Sequence, residues 1–200
     1  FEFIELHVQR HLKTEESADV FADAVQEITA APLPPLAANC FVPGHLKITG
    51  PEVDLDALQA YVKIAFERAE RAGVRSIVFG SGGARRIPEG FDRAEAWTQL
   101  VTFGRLIGPL AEERGVTVVV EPLNEKLGAC NVLTSVGECG RYVEEVDHPQ
   151  VRLLVDSYHW SLDNDAAEAI VRYGPLLKHV HVATTESRVP PGFEACDFSV

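Results

Sequence analysis

Val116-Thr117-Val118-Val119-Val120-Glu121-Pro122 is the stretch that decides the fold of this chain. An unbroken apolar and β-branched run suits a parallel strand covered on both faces, because a half-exposed strand would alternate with polar residues. A carboxylate comes next, and the proline after it ends the strand. Outward from here the pattern recurs at fairly even intervals, at Phe1 to Val8, Leu36 to Val42, Ser76 to Gly80, Val151 to Asp156 and Leu176 to Ala183. Including Val116 to Leu123, that predicts repeated strand-helix units.

Helical spacing fills the intervals. Leu55, Leu58, Val62, Ala65, Phe66 and Ala69 lie on one helix face, entered through Asp54 and stopped at Gly73. A second helix is predicted from Arg93 to Arg114, with Gly108-Pro109 bending or splitting it, since an internal proline removes a backbone bond. A third starts at the capping box Ser135-Val136-Gly137-Glu138. Shorter helices are expected from Ser17 to Ala30 and from Ala166 to Arg172. No linker interrupts the units, so residues 1–200 read as a single domain.

These alternating units predict an α/β fold with a parallel sheet, and the polar residues choose between its two forms. Glu5, Ser81, Glu121, Asp156 with His159, and His181 fall at or just past the C-terminal ends of successive strands. In a (β/α)8 TIM barrel those ends meet around one mouth, whereas an open doubly wound sheet spreads them along an edge. Barrel geometry gathers them. Six strands are legible where a closed barrel takes eight, and such barrels usually run to about 250 residues. The chain also has no Met and opens on strand-like sequence. The first strand and the last strand-helix material are therefore expected outside it, with a six-strand open sheet as the alternative.

Composition narrows the function classes. At 200 residues, 46% hydrophobic and 24% charged, the chain can bury a core and is not a disordered polymer. Eighteen basic against 30 acidic residues leave a net charge of −12, which disfavours nucleic acid as main partner. No apolar run reaches the ~20 residues of a membrane span. A soluble, cytoplasmic protein is expected. Cys40, Cys130, Cys139 and Cys196 lack metal or redox spacing and read as reduced thiols.

A carboxylate or imidazole buried at a strand end costs several kcal/mol unless something compensates it. Glu121, Asp156 and His181 would together form a hard oxygen-and-nitrogen shell for a divalent cation, Mn²⁺ foremost, with Mg²⁺ or Co²⁺ as alternatives. Such an ion stabilises an enediolate formed when a proton leaves the carbon beside a carbonyl, and a poised carboxylate takes that proton. His179 shares parity with His181 and is expected one layer deeper as a hydrogen-bonded residue. Gly80-Ser81-Gly82-Gly83 reads as a permissive turn, and His7, His11, His45 and His148 as loop or surface residues. Phe41 and Trp160 are expected to wall a pocket.

Glu121-Pro-Leu-Asn, the Asp-x-x-His of Asp156 and His159, and His181 followed by Arg188 and Pro190-Pro191-Gly192 occur in order along the whole chain. In these segments it resembles the xylose isomerase-like barrel superfamily, within it the sugar isomerases and epimerases that include the D-tagatose and D-psicose 3-epimerases. The resemblance implies that Glu121, Asp156 and His181 bind the metal, that Glu121 is also the acid/base group, and that His159 and Arg188 hold sugar oxygens. Glu5 is a further candidate for substrate contact from its strand-end place. The family's fourth ligand, a second Glu, is placed beyond Val200. Two departures bear on the substrate: Leu127 stands where the epimerases often have another Glu, and Arg188 comes seven residues after His181 rather than six. The expected activity is isomerisation or epimerisation of a small sugar or keto-polyol. Barrels of this group commonly pair, which admits a homodimer, although no interface stripe is legible. Two rival readings remain, an endonuclease IV-like metal hydrolase and a non-catalytic sugar-binding barrel.

Overall fold

A computed structural model describes residues 2–163, 165–196 and 198. Six parallel strands, β1 Ile4–His7, β2 Pro35–Asn39, β3 Ser76–Phe79, β4 Thr117–Val120, β5 Val151–Asp156 and β6 Leu177–His181, lie in the sheet in chain order. Helices α1 Val8–His11, α2 Ala18–Thr29, α3 Leu55–Ala72, α4 Gly82–Arg85, α5 Arg93–Glu113, α6 Val136–Val146, α7 Ser157–Asp163 and α8 Ala167–Tyr173 connect them. A doubly wound sheet reverses strand order at a switch point. This one does not.

The long helices start and stop where the side chains demand. Asp54 accepts the Ala57 N–H at 2.9 Å to open α3, and Gly73, at φ 85°, closes it in the left-handed region. Asp92 opens α5 by accepting the Glu95 N–H at 2.8 Å. Ser135 opens α6 by accepting the Glu138 N–H at 3.1 Å, while the Glu138 carboxylate reaches back to the Thr134 N–H at 3.0 Å. Of the expected bend or split at Gly108-Pro109, the split does not occur: α5 runs on through Pro109. Ile107 and Ala111, on either side, are fully buried, so packing outweighs the ~3 kcal/mol that an internal proline costs.

Strand parity separates two faces. Ile77, Phe79, Val118, Val120, Leu153 and Val155 belong to the main core under the helices, whereas Val78, Val119 and Leu154 form their own buried cluster on the opposite face. Two residues further along the same side come Gly80, Glu121 and Asp156. Register aligns Asp156 with His181 on β6, and His7 with Asn39 at the other end of the sheet. The polar groups thus crown an apolar layer at the C-terminal ends of the strands.

Curvature is measured by one contact. β1 and β6 stand at opposite ends of the hydrogen-bonded order, five spacings or about 24 Å apart in a flat sheet. Yet Glu5 Oε2 on β1 lies 3.0 Å from His181 Nε2 on β6. The sheet is therefore curled into a half-barrel or more with these side chains on its concave face. Among the described residues no helix is long and apolar enough to cross a membrane.

One local expectation changes. Phe41 does not wall a pocket: it is fully buried and stacks on Phe66 at 5.4 Å, with Phe79 and Phe103 nearby. The cause is Cys40, whose φ of 53° turns the chain after β2 ends at Asn39 and aims the ring at the helices. His159 lies in α7, which continues from β5 without a gap, and it is buried.

Candidate functional site

Glu121, Asp156 and His181 offer three ligand atoms within 4.8 Å of one another. His181 Nδ1 lies 3.3 Å from Glu121 Oε1 and 3.7 Å from Asp156 Oδ2. Both carboxylates are buried, at 7% and 3% exposure, and bare buried carboxylates side by side repel. Three carboxylates crowd one imidazole: burial alone would lower the His181 pKa, but hydrogen bonds to Asp156, Glu121 and Glu5 raise it to about 12. The Asp156 carboxyl is pulled below its ordinary value. Burial works upward there and is outweighed by the His181 hydrogen bond, the nearby His159 and the Tyr158 N–H, which Asp156 Oδ1 accepts at 2.8 Å.

Glu121 is placed by the backbone around it. Its carbonyl accepts from the guanidinium of Arg85, which is fully buried and also donates to the carbonyls of Phe79 and Leu133. That cation thereby ties together the ends of β3 and β4 and the loop after β4. Gly80 leaves room for the Glu121 carboxylate, since a Cβ there would lie 2.4 Å from Oε2. Ser81, at φ 44°, accepts the Val42 N–H at 2.9 Å, so the Gly-rich turn joins the loop after β2 to the start of α4.

His159 sits beside the cluster. Its Nδ1 faces the Asn124 backbone N–H at 3.1 Å and the Asn124 Nδ2 at 2.6 Å, while Asn124 Oδ1 accepts the Leu127 N–H at 2.9 Å. Two donors at Nδ1 assign the ring proton to Nε2. Burial lowers the His159 pKa, helped by Arg188 and Arg85 against Asp156 and Glu121, so the ring is neutral near pH 7. Arg188, itself at φ 52°, lays its guanidinium over the Tyr158 ring at 4.6 Å and brings Nη2 within 3.4 Å of Asp156 Oδ2 and 3.3 Å of His159 Nε2. Two donors, the Nε2–H of His159 and the Arg188 guanidinium, thus converge on one spot. An acceptor oxygen would satisfy both.

Glu5 lies on the other side of His181. Asn39 Nδ2 donates to its Oε1 at 2.8 Å, and His179 Nε2 and His181 Nε2 lie 3.2 and 3.0 Å from Oε2. Burial works to raise the Glu5 pKa, but these hydrogen bonds and the His181 charge outweigh it and bring it to about 2. A cleft of about 460 Å³ borders Glu5, Asn39, Asp156, His181 and Arg188. A larger groove, about 680 Å³, runs past Glu125, Ser135 and Asp163 and contains none of the converging donors. Leu127 is exposed and Trp160 is partly buried against the core.

Residues 1–199 match the family described as the xylose isomerase-like TIM barrel. The chain belongs to that family. It is 27% identical over 141 residues to the D-psicose 3-epimerase of Agrobacterium fabrum strain C58, a match that spans 67% of this chain and 48% of that protein. The chain thus spans about half the length of that relative. Among solved structures it is similar to a D-psicose 3-epimerase determined in the presence of D-fructose, with a TM-score of 0.81, 21% identity and coverage of 98% of this chain and 67% of that one. It is also similar to the IOLI protein solved with a bound zinc atom, with a TM-score of 0.69, 20% identity and coverage of 98% and 72%. At such identities the structures establish the barrel fold.

Arg85 and Asn124 are the site-shaping residues that the strand-end pattern passes over. Asn124 stands in the Glu-Pro-Leu-Asn segment, so proximity to Glu121 is its signal. Arg85 has none beyond its place after a Gly-rich turn.

Proposed function

We propose that this chain carries the catalytic centre of a divalent-cation-dependent isomerase or epimerase acting on a small sugar or keto-polyol through an enediolate. The observation that carries the reading is the convergence of Glu121, Asp156 and His181, from three different strand ends, on one buried cluster. Similarity to a relative named for sugar epimerisation supports the reaction class.

The donor set fits the cation. Donors around one Mg²⁺-sized ion with bonds near ~2.1 Å stand about 3 Å apart along an octahedral edge, and His181 Nδ1 already stands 3.3 and 3.7 Å from the two carboxylates. Oxygen and nitrogen donors without thiolate favour Mn²⁺, with Mg²⁺ or Co²⁺ as alternatives. When bound, the cation would neutralise charge developing on substrate oxygens. Glu121, Asp156 and His181 would hold it.

The chain's other groups divide the remaining work. Glu121 takes the proton from the carbon beside the sugar carbonyl and returns it, and its burial keeps water from competing for that proton. The Nε2–H of His159 and the Arg188 guanidinium hold one sugar oxygen between them. Tyr158, under the Arg188 guanidinium, fixes its orientation.

In the test, the chain is incubated with D-psicose and Mn²⁺ in D₂O, and Glu121→Gln is compared with the native residue. Deuterium should enter the sugar carbon with Glu121 and fall by at least about 10²-fold with Gln, the span general-base catalysis usually supplies. Equal exchange in both would remove Glu121 from the base role.

A further inference from the structure

We propose that Glu5 is a positioning residue: its carboxylate fixes the His181 imidazole with the proton on Nε2, so that the Nδ1 lone pair faces the cation site. The inference rests on the cation centre of the proposed isomerase or epimerase.

The two ring nitrogens of His181 have different neighbours. Nε2 lies 3.0 Å from Glu5 Oε2, and Nδ1 lies 3.3 Å from Glu121 Oε1 and 3.7 Å from Asp156 Oδ2. A carboxylate only accepts, so Nε2 donates to Glu5. A neutral imidazole has one N–H, and spending it on Glu5 leaves a lone pair at Nδ1, the nitrogen that faces Glu121 and Asp156. A carboxylate behind a metal-binding imidazole sets the ring's tautomer and angle and makes it a better donor.

Glu5 is built to stay in place. Asn39, from the neighbouring strand, donates to Oε1 at 2.8 Å, and His179 contacts the same Oε2 at 3.2 Å. The His179 ring meets that of His181 edge to face, with centroids 5.1 Å apart at 83°, which limits rotation of the His181 ring. With three donors already on its two oxygens, Glu5 is a poorer partner for a sugar hydroxyl than its strand-end place suggests.

The same geometry admits a rival occupant. Ligand atoms of Glu5, His179 and His181 also lie within 4.8 Å of one another. A cation there as well as at Glu121 would force His181 to give up its last proton and bridge two ions. That bridge is less economical than a hydrogen bond.

Calorimetric titration with Mn²⁺ alone, comparing the whole native chain with its Glu5→Gln variant, tests the proposal. Glu5→Gln should bind the ion about 10- to 100-fold more weakly, the usual cost of losing such a partner. Native binding with undiminished affinity in Glu5→Gln overturns the role of Glu5 alone, whereas no Mn²⁺ binding by the native chain overturns the cation centre and this role with it. Two ions per native chain, falling to one in His179→Gln, would make Glu5 and His179 ligands and overturn the proposal. Nitrogen NMR of the Zn²⁺-loaded native chain gives a readout that needs no variant. His181 should show a protonated Nε2 and a metal-bound Nδ1, and a proton on Nδ1 would overturn the assignment.

Discussion

A methyl group at position 80 would lie 2.4 Å from Glu121 Oε2, closer than side-chain carbons approach any oxygen. The backbone around Gly80 is not left-handed, so alanine fits the chain there and only the carboxylate must yield. Gly80→Ala should leave stability within about 1 kcal/mol of native, as mutations without a core or backbone penalty usually do, while weakening Mn²⁺ binding at least several-fold. Urea unfolding and calorimetry check the two halves, and a large stability loss with intact binding would show that Glu121 moves freely. Glu121, Asp156 and His181 are legible in the sequence because each directly ends or succeeds an apolar strand. Phe41 is misplaced by the sequence reading because its surroundings depend on the segment after the strand, where Cys40 is left-handed. That turn has no local sequence signature, since Cys is not a residue that favours positive φ.

Helix contacts also turn on missing side chains. A Cβ at Gly104 in α5 would meet Val146 at 2.3 Å and the Tyr142 hydroxyl at 2.5 Å, both on α6. Alanine gains about 1 kcal/mol in helix propensity over glycine, whereas overpacking a core costs roughly 1–3 kcal/mol. Gly104→Ala should therefore destabilise by up to about 2 kcal/mol in urea unfolding, and a stabilised variant would mean that α5 and α6 part easily. Arg85 works across strands rather than helices. Replacing it with Met removes its hydrogen bonds to the carbonyls of Phe79, Glu121 and Leu133. Phe79 and Leu133 keep the N–H groups of Glu121 and Leu123, so the Glu121 carbonyl is the buried acceptor that loses its donor, worth about 1–3 kcal/mol when unpaired. Arg85→Met should lower stability by about 1–3 kcal/mol in the same assay, and a loss under about 1 kcal/mol would show that water replaces the guanidinium. Helix starts are readable from the caps at Asp54, Asp92 and Ser135, because a cap is a local bond. The continuity of α5 through Pro109 is not, because burial of Ile107 and Ala111 decides it and burial belongs to the whole fold.

Across the molecule, one geometric fact joins fold and site. A sheet that keeps its strands in chain order and curls until its first and last strands touch through Glu5 and His181 brings residues 5, 121, 156 and 181 around a single mouth. The regular spacing of apolar runs predicts the strand-helix repeat, and the strand-end position of the polar residues predicts the curl. Contacts between segments far apart in sequence, such as Asn39 with Glu5 or Asn124 with His159, require the three-dimensional arrangement. The central claim is that Glu121, Asp156 and His181 share one cation. Anomalous X-ray diffraction from crystals of the chain grown with Mn²⁺ tests it directly. One peak about 2 Å from an oxygen of Glu121, an oxygen of Asp156 and Nδ1 of His181 is the predicted result, and a Mn²⁺-saturated crystal without density among those three side chains would contradict it.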